Sequence, residues 1–507
     1  INIITDDAKN AINVSSDTRY ASKGRFTQSV NIDVNTGKFG SYTSYRRQQA
    51  EGWQLNPYEE NSKTHELEET GKVASTGFYA NTVNQKFTFD ANDKLSFYAR
   101  GGYYDNKTRR PYEAYDYNIL HETFNYGIGA QYMINKGNYI TADCYADHFS
   151  SSYCFFKDNK TYNGKAGEEQ VRKRTRNHNL SIKGIFKLGN RHKLSVGTEY
   201  IVDVLKSQTD NIAKEDAYTL ALFAQDEIKL LRNLQALIGV RYIYHENFKN
   251  HATPNVALMY KPGKFNFRAS YAAGFRTPTL SELYATDIAK KNDRLTIGNL
   301  DLKPEKNNYF SLSAEYVHER FSVSVNAFYN NIRDMIDYNT IATGDKAMEQ
   351  YGHKEVRQRD NIAEAKVHGI NVSANAYLGA GFNLSGGYTH LNTQDVELEQ
   401  PIDKSIKNAY NINAQWAHSW KIYRLNINLN GRINSKRFSK SYGYAPEYQL
   451  WDLNTRHSFN LKSVIIEPGF GMENLFDYMD DRPYNSNYAT LTPGRSFYIS
   501  LSLKFKS

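Results

Sequence analysis

The amino-acid sequence predicts an all-β fold, a transmembrane antiparallel up-and-down β-barrel of about 22 strands. Many segments alternate apolar and polar residues with a period of two, which places one set on each face of a strand. Short turns alternate along the chain with longer polar connections. Tyrosine is abundant, with 40 residues among 507, yet no stretch approaches the roughly 18 consecutive apolar residues of a membrane-spanning helix. A barrel accounts for all three observations, because only every second residue of its strands faces lipid.

The clearest predicted strand lies at the end of the chain, at residues 495–505. Its apolar positions are Phe497, Ile499, Leu501, Leu503 and Phe505, and they alternate with Ser496, Tyr498, Ser500, Ser502 and Lys504. The same alternation is present in residues 265–271, 310–316, 321–329 and 423–430. A closed barrel is preferred over a soluble sandwich, because closure removes the unpaired edges of so long a meander.

The connections between predicted strands fall into two classes. Tight turns rich in Gly, Asn, Asp and Pro are predicted at residues 91–93, 136–138, 189–191, 262–263 and 379–381. Longer polar connections are predicted near residues 51–74, 106–118, 158–172, 276–307, 336–357, 394–405, 437–447 and 477–492. Short turns on one side and long loops on the other are typical of an outer-membrane barrel with its long loops outside the cell.

Composition excludes several other classes of protein. The mean hydropathy of −0.69 argues against a helical membrane protein. The net charge of +9 comes from scattered Lys and Arg, so we expect no nucleic-acid partner. Cys144 and Cys154 would lie about 33 Å apart on one extended segment and are expected to be unpaired, although a loop that folds back could still join them. No hydrolase, phosphate-binding or zinc-protease motif is present, so we expect no enzyme.

Three segments carry a resemblance to a known family. The chain opens with Ile-Asn-Ile-Ile-Thr-Asp at residues 1–6, and residues 274–284 read Gly-Phe-Arg-Thr-Pro-Thr-Leu-Ser-Glu-Leu-Tyr, followed by Gly-Asn-Leu-Asp-Leu-Lys-Pro-Glu at residues 298–305. Near the end stand Glu-Asn-Leu-Phe-Asp at residues 473–477 and Thr-Pro-Gly-Arg-Ser-Phe at residues 492–497. Together and in this order they resemble the TonB-dependent outer-membrane receptors. Arg276 and Glu305 are expected to pair at the barrel rim.

The resemblance implies two parts of the chain and a set of partners. Residues 1–10 resemble the end of a plug domain, and residues 11–507 form the barrel. Such receptors reside in the bacterial outer membrane, contact its lipid and lipopolysaccharide, and receive energy from the TonB complex through the plug. A surface lipoprotein that first captures the ligand is a further possible partner. The plug itself and the segment that contacts TonB are not in this sequence.

The ligand implied by the resemblance is a metal-containing chelate. Cobalamin is favoured, with heme or a ferric siderophore as alternatives, because residues 279–297 contain no histidine to ligate heme iron. Loop tyrosines suited to packing on a flat ligand are Tyr58, Tyr112, Tyr115, Tyr117, Tyr284 and Tyr351. Candidate heme or metal ligands are His245, His251 and His353.

Several alternatives stay open from the sequence. No intrinsic cofactor is expected, but Ca²⁺ is a candidate for the external loops, through Asp477, Asp480 and Asp481. A passive porin or an outer-membrane lipase would share the barrel. An adhesin or phage-receptor role is compatible with transport.

Overall fold

The computed structural model describes residues 11–61, 63–289 and 293–506, and the residues assigned to the plug end, 1–10, lie outside this part. It contains two short helices, α1 (Leu280–Tyr284) and α2 (Gly344–Tyr351). The strands are β1 (Ile12–Ala21), β2 (Arg25–Asn35), β3 (Phe39–Ala50), β4 (Tyr58–Glu60), β5 (Leu67–Glu69), β6 (Gly77–Asn92), β7 (Leu95–Arg109), β8 (Tyr117–Asn135), β9 (Asn138–Phe155), β10 (Glu169–Leu188), β11 (His192–Ser207), β12 (Ile212–Leu231), β13 (Leu234–His245), β14 (Lys249–Tyr260), β15 (Phe265–Arg276), β16 (Thr286–Ala289), β17 (Arg294–Ile297), β18 (Glu305–Val317), β19 (Phe321–Thr343), β20 (Glu355–Gly379), β21 (Phe382–Asp395), β22 (Asn408–Trp420), β23 (Tyr423–Asn434), β24 (Arg437–Ser439), β25 (Gly443–Ala445), β26 (Tyr448–Leu461), β27 (Val464–Glu473) and β28 (Ser496–Lys506).

Twenty-two of these strands form one closed antiparallel barrel. Each pairs with its neighbours in chain order, and β28 pairs with β1 from Lys506 opposite Asn13 to Tyr498 opposite Ala21. The remaining six strands, β4, β5, β16, β17, β24 and β25, lie in the long connections. The predicted all-β barrel of about 22 strands is therefore confirmed.

The two faces of the wall have opposite chemistry. On β28 the predicted apolar set is exposed on the outside, with Phe497 and Ile499 more than half accessible. The inner face is polar, as where Asn413 Nδ2 donates to Asn428 Oδ1 and Asn430 Oδ1, both at 2.6 Å. Apolar side chains thus meet lipid and amides line the lumen, which the alternation predicted.

The short and long connections lie at opposite ends of the barrel, as predicted. The predicted long loops are nevertheless shorter than expected at several places, because the strands continue beyond the membrane. β19 has 23 residues and β20 has 25, against the roughly 9–11 that a tilted strand needs to cross a bilayer. The external half of the barrel is therefore a raised wall.

Small apolar clusters hold the long loops in place on this raised wall. Leu283 of α1 packs with Leu302 and Ile336, and Ala347 of α2 packs with Ala342 and Val356. The hairpin β16–β17 adds to the outer part of β20 through a parallel pairing from Arg294 opposite Glu355. In the described residues no helix is long and apolar enough to cross a membrane. Cys144 and Cys154 lie on the same strand, β9, and both are free.

Candidate functional site at the external mouth

A cluster of tyrosine and arginine side chains lies on the inner face of the external rim. On β8 and β9 the lipid-facing residues include Ile128 and Cys144, which are register partners. Tyr117 and Tyr153 stand an odd number of positions away along the same strands, so they belong to the opposite face and point toward the mouth. Their rings stack at a centroid distance of 4.1 Å and an interplanar angle of 22°.

Tyr162 and two arginines complete this tyrosine–arginine cluster, which comprises Arg110, Tyr117, Tyr153, Tyr162 and Arg172. Tyr162, from the β9–β10 loop, meets Tyr153 edge-on at 5.1 Å. The Arg172 guanidinium lies 5.3 Å from the Tyr153 ring centre and 5.0 Å from that of Tyr162, and Arg110 lies 5.2 Å from that of Tyr117. Arg172 reaches the rings because the β9–β10 register shifts between Val171 and Lys173.

The electrostatics of the cluster favour an anionic aromatic ligand. Burial and the neighbouring Tyr117 raise the pKa of Tyr162, so its hydroxyl stays neutral at physiological pH. In the described residues, neither Arg110 nor Arg172 forms an ion pair with a carboxylate. Both guanidinium groups therefore keep their positive charge for an incoming ligand, and the aromatic rings around them suit a flat one.

A second group of aromatic and basic side chains stands beside this cluster, on the β27–β28 loop. Two hydrogen bonds to main-chain oxygens hold this loop to the β3–β6 loop: Tyr484 N–H donates to Tyr58 O at 2.7 Å, and the Trp53 indole donates to Leu491 O at 2.8 Å. Lys72 Nζ lies 5.6 Å from the Tyr484 ring centre. Burial and the nearby Tyr115 and Glu59 raise the pKa of Tyr484. Tyr484 and Tyr115 thus connect the two groups across the rim.

Four of the six predicted tyrosines lie along this part of the rim. Tyr117 is at the centre of the cluster, and Tyr115 stacks on the Arg110 guanidinium at 4.9 Å. Tyr112 is 59% exposed and lies under Lys157 Nζ at 3.9 Å from its ring centre. Tyr58 is 41% exposed on the β4–β5 hairpin. The sequence analysis missed Arg110, Tyr153, Tyr162 and Arg172. Only Arg110 had a signal in the sequence, because the predicted 106–118 connection is rich in Tyr and Arg.

The other two predicted tyrosines belong to the apolar clusters of the loops. Tyr284 packs against the cluster of Leu283, and Tyr351 packs against that of Ala347. The structure places neither of them in the tyrosine–arginine cluster. Their role in ligand contact stays a prediction.

The three predicted histidines have partners within the protein. His245 is 7% exposed, and its Nδ1 accepts from Asn247 N–H at 3.1 Å. The ring of His251 stacks on Phe275 at 4.7 Å. His353 Nδ1 lies 2.9 Å from Asp293 Oδ1, and this hydrogen bond lowers the pKa of Asp293. In the described residues no three His, Cys, Asp or Glu side chains converge, so these histidines are not one ligand set.

Two of the three aspartates considered for Ca²⁺ accept hydrogen bonds through their carboxylates. Asp480 is 2% exposed, its two oxygens accept from Arg482 at 2.9 and 2.8 Å, and Oδ2 also accepts from Ala489 N–H at 2.7 Å. Asp477 Oδ1 accepts from Arg495 N–H at 2.6 Å. Within the described residues no three His, Cys, Asp or Glu side chains converge as a metal site. A Ca²⁺ site in these loops stays a prediction.

The predicted pairing at the rim is present and has an additional member. Arg276 donates to Glu305 at 2.8 and 2.6 Å and to Glu282 at 2.8 and 3.2 Å. Glu282 in turn accepts from Thr279 N–H at 2.8 Å and closes a capping box on α1. One guanidinium therefore anchors both ends of the β15–β18 loop.

Comparison with known proteins gives one matching family model and several similar structures. The model described as TonB dependent receptor-like, beta-barrel matches residues 23–475. A variant of the ferric enterobactin receptor PfeA from Pseudomonas aeruginosa superposes with a TM-score of 0.83 at 16% identity, over 99% of this chain and 82% of that one. The siderophore receptor PirA from Acinetobacter baumannii gives 0.79 at 15% identity, over 99% and 82%. The copper transporter OprC gives 0.76 at 11% identity, over 99% and 81%. At these identities the structural likeness concerns the fold.

Proposed function

Because this chain belongs to the TonB-dependent receptor family, whose barrel model matches residues 23–475, we propose that it imports an anionic metal chelate with aromatic ligand groups. It is an outer-membrane receptor. A ferric siderophore of the catecholate class is the ligand that we place first, ahead of the corrinoid favoured by the sequence analysis and ahead of heme.

The tyrosine–arginine cluster is the observation that carries this choice. A ferric catecholate presents flat aromatic groups and a net negative charge, which suit the Tyr117–Tyr153 stack and the guanidinium groups of Arg110 and Arg172. A corrinoid needs flat contacts but no concentration of cations. Heme bound through an imidazole would need a histidine, and the tyrosine–arginine cluster contains none. The proteins PfeA and PirA, both described as siderophore receptors, support the same choice.

The proposed mechanism follows the family. The chelate binds at the external mouth, the TonB complex acts on a plug domain that fills the lumen, and the ligand passes inward. A surface lipoprotein that delivers the chelate is a compatible partner. In this proposal the raised wall and its loops provide the surface that contacts both the chelate and the lipoprotein.

Binding calorimetry with ferric enterobactin, cyanocobalamin and hemin on the purified full protein tests this proposal. We expect heat from ferric enterobactin and about 3- to 30-fold weaker binding in Arg172→Gln, the range expected from loss of one cation–π partner. Arg174→Gln is the matched control, because Arg174 lies on the same strand and faces outward. Binding of cyanocobalamin or hemin alone, or equal weakening by both substitutions, would refute the choice of ligand.

A further inference from the structure

Polar side chains lie within the lipid-facing wall of β1 and β2. On β28 the outward residues Leu503 and Leu501 stand in the middle of the apolar alternation, and their register partners on β1 are Ser16 and Thr18. Gln28 of β2 is the register partner of Thr18, so it faces lipid as well. These three polar residues therefore lie at the depth of the acyl chains.

The same arrangement is repeated on the next two strands, β3 and β6. Gln85 of β6 lies between the outward side chains of Phe87 and Val83, which are 43% and 42% exposed. Its register partner on β3 is Thr43, and Ser41 stands two positions before Thr43 on the same face. The wall thus carries two Ser–Thr–Gln groups. The first group is Ser16, Thr18 and Gln28, and the second group is Ser41, Thr43 and Gln85.

Both Ser–Thr–Gln groups form the same internal hydrogen bonds. In each group the glutamine Oε1 accepts from the threonine hydroxyl, and Nε2 donates to the serine Oγ, at 3.0 Å in the first group and 2.9 Å in the second. A second donation from Nε2 reaches a main-chain oxygen of the same strand, at 3.3 and 3.2 Å. In the described residues the two serine hydroxyls accept these bonds and donate none. Each group therefore keeps a hydroxyl hydrogen that acyl chains cannot accept.

The opposite part of the wall has no such groups at this depth in the strands that the structure describes. The outward positions there are Ile238, Val240, Val256, Leu258, Phe267, Ala269, Leu312, Ala314, Val323 and Val325. Contact with lipid accounts for that apolar surface. It does not account for two amides and four hydroxyls within the same band, because polar side chains at membrane depth commonly face a protein partner.

A second copy of the chain is the partner that fits this surface. The partner has to present hydrogen-bonding side chains at the same depth of the membrane, where lipid-facing walls ordinarily carry apolar residues. This chain itself meets that requirement. A two-fold axis along the membrane normal, passing between the two Ser–Thr–Gln groups, places the first group of each copy against the second group of the other.

We propose that two copies of the chain associate within the membrane through the wall formed by β1, β2, β3 and β6, with their Ser–Thr–Gln groups in contact. Four strands at a spacing of about 4.8 Å, over an apolar band about 25 Å tall, offer roughly 500 Å² per copy. The total of roughly 1,000 Å² reaches the lower limit of specific protein interfaces.

Cross-linking of the full protein in isolated outer membranes tests the proposal. The test position is Ile32→Cys, because Ile32 lies on β2 between the two groups, opposite Thr43, and is 39% exposed. The control position is Val325→Cys on the opposite wall, which is 40% exposed. Both variants have Cys144 and Cys154 replaced by Ser. A short, membrane-permeable bis-maleimide joins the thiols, and a denaturing gel separates monomer from dimer.

Two further variants of the Ile32→Cys protein examine the polar groups themselves. Gln28→Leu/Gln85→Leu removes both amides, whereas Thr198→Val removes a lipid-facing hydroxyl elsewhere, beside Ile182 and Leu222. A gel shift on heating verifies that each variant is a folded barrel. Leucine suits a lipid-facing position, so the double variant should fold like the parent.

The expected result is a dimer band for Ile32→Cys and none for Val325→Cys. The double leucine substitution should lower the dimer yield about tenfold, and Thr198→Val should leave it unchanged. Absence of the dimer, equal dimer yields from Ile32→Cys and Val325→Cys, or a yield that the leucine substitutions leave unchanged would overturn the proposal. So would an Ile32→Cys product whose mass is that of one copy joined to a different protein.

Discussion

Arg276 illustrates how a single residue orders a long loop at the external mouth. It joins Glu305, at the start of β18, to Glu282, on α1, and the side chains of both carboxylates are mostly buried, at 15% and 14% exposure. Burial alone would raise the pKa of Glu282, but the hydrogen bonds from Arg276 and Thr279 outweigh it and lower that pKa. The order of the loop therefore depends on the ionised form of Glu282.

The first prediction is that residues 277–289 and 293–304 lose order as the pH falls. A carboxylate with a lowered folded-state pKa stabilises the fold above its unfolded pKa of about 4.5, and this contribution disappears as the pH drops through the folded value. A spin label at Leu300→Cys, with Cys144 and Cys154 replaced by Ser, should be immobile at pH 7 and become mobile below about pH 4.5. Glu282→Gln should make the label mobile at pH 7 already.

The control for this prediction is Asp301→Asn, which removes an acidic group of the same loop that has no ion pair in the described residues. It should leave the pH midpoint of label mobility unchanged. A label that stays immobile from pH 7 to pH 3, or a midpoint that moves equally in both variants, would contradict the role assigned to Glu282.

At the residue scale, the sequence predicted a contact correctly where the two residues flank the same loop. The pairing of Arg276 with Glu305 was predicted, because both stand at the ends of one loop. Glu282 was missed as a partner, since its approach depends on the turn of α1. Arg172 was missed for a similar reason: a β-bulge turns it toward Tyr153 and Tyr162, and a bulge leaves no mark in simple alternation.

The element that closes the barrel depends on a close fit between adjacent strands. Gly471 of β27 lies under the ring of Tyr498 of β28, where an added Cβ would stand 2.1 Å from the ring. The same ring carries the Arg19 guanidinium of β1 at 3.8 Å from its centre. Because Gly471 has no side chain, the Tyr498 ring can lie over β27 and also contact Arg19 on β1.

The second prediction is that Gly471→Ala weakens this closure by about 1–3 kcal/mol, the usual cost of overpacking. The ring of Tyr498 must move off Arg19, so the contact between the last and first strands loosens. We expect the folded band on an unheated gel to convert to the unfolded band at a lower temperature. Gly101→Ala is the control, because its added Cβ meets only Asn125 O, at 3.8 Å. If both variants lowered the conversion temperature equally, the effect would come from replacing any glycine and not from the contact between Gly471 and Tyr498.

Strand prediction succeeded because alternation and turn residues are local signals, whereas the length of the strands was underestimated. The outer parts of β19 and β20 carry polar residues on both faces, so alternation ends before the pairing does. Pro468 lies within β27, at neither a bulge nor a strand end. The pairing of β27 with β26 is interrupted there, between Arg456–Gly469 and Phe459–Ile466, without a change of register. The missing N–H of proline explains the interruption.

At the scale of the whole molecule, the sequence predicted the barrel and the number of its strands. It could do so because each strand of the lipid-facing wall repeats the same alternation of apolar and polar residues. It did not predict the tyrosine–arginine cluster, since its members lie on β8, β9, β10 and on the β7–β8 and β9–β10 loops, and only the register of the paired strands brings them together.

The third prediction concerns the orientation of the whole barrel in the membrane. If the long loops face outward, Glu113→Cys in the β7–β8 loop should react in intact cells with a thiol reagent that does not cross the outer membrane. Asp93→Cys in the short β6–β7 turn should react only after the cells are broken, because the outer membrane lies between it and the medium. Both variants are made with Cys144 and Cys154 replaced by Ser. Labelling of Asp93→Cys but not of Glu113→Cys in intact cells would reverse the orientation, and with it the placement of the ligand site at the external mouth.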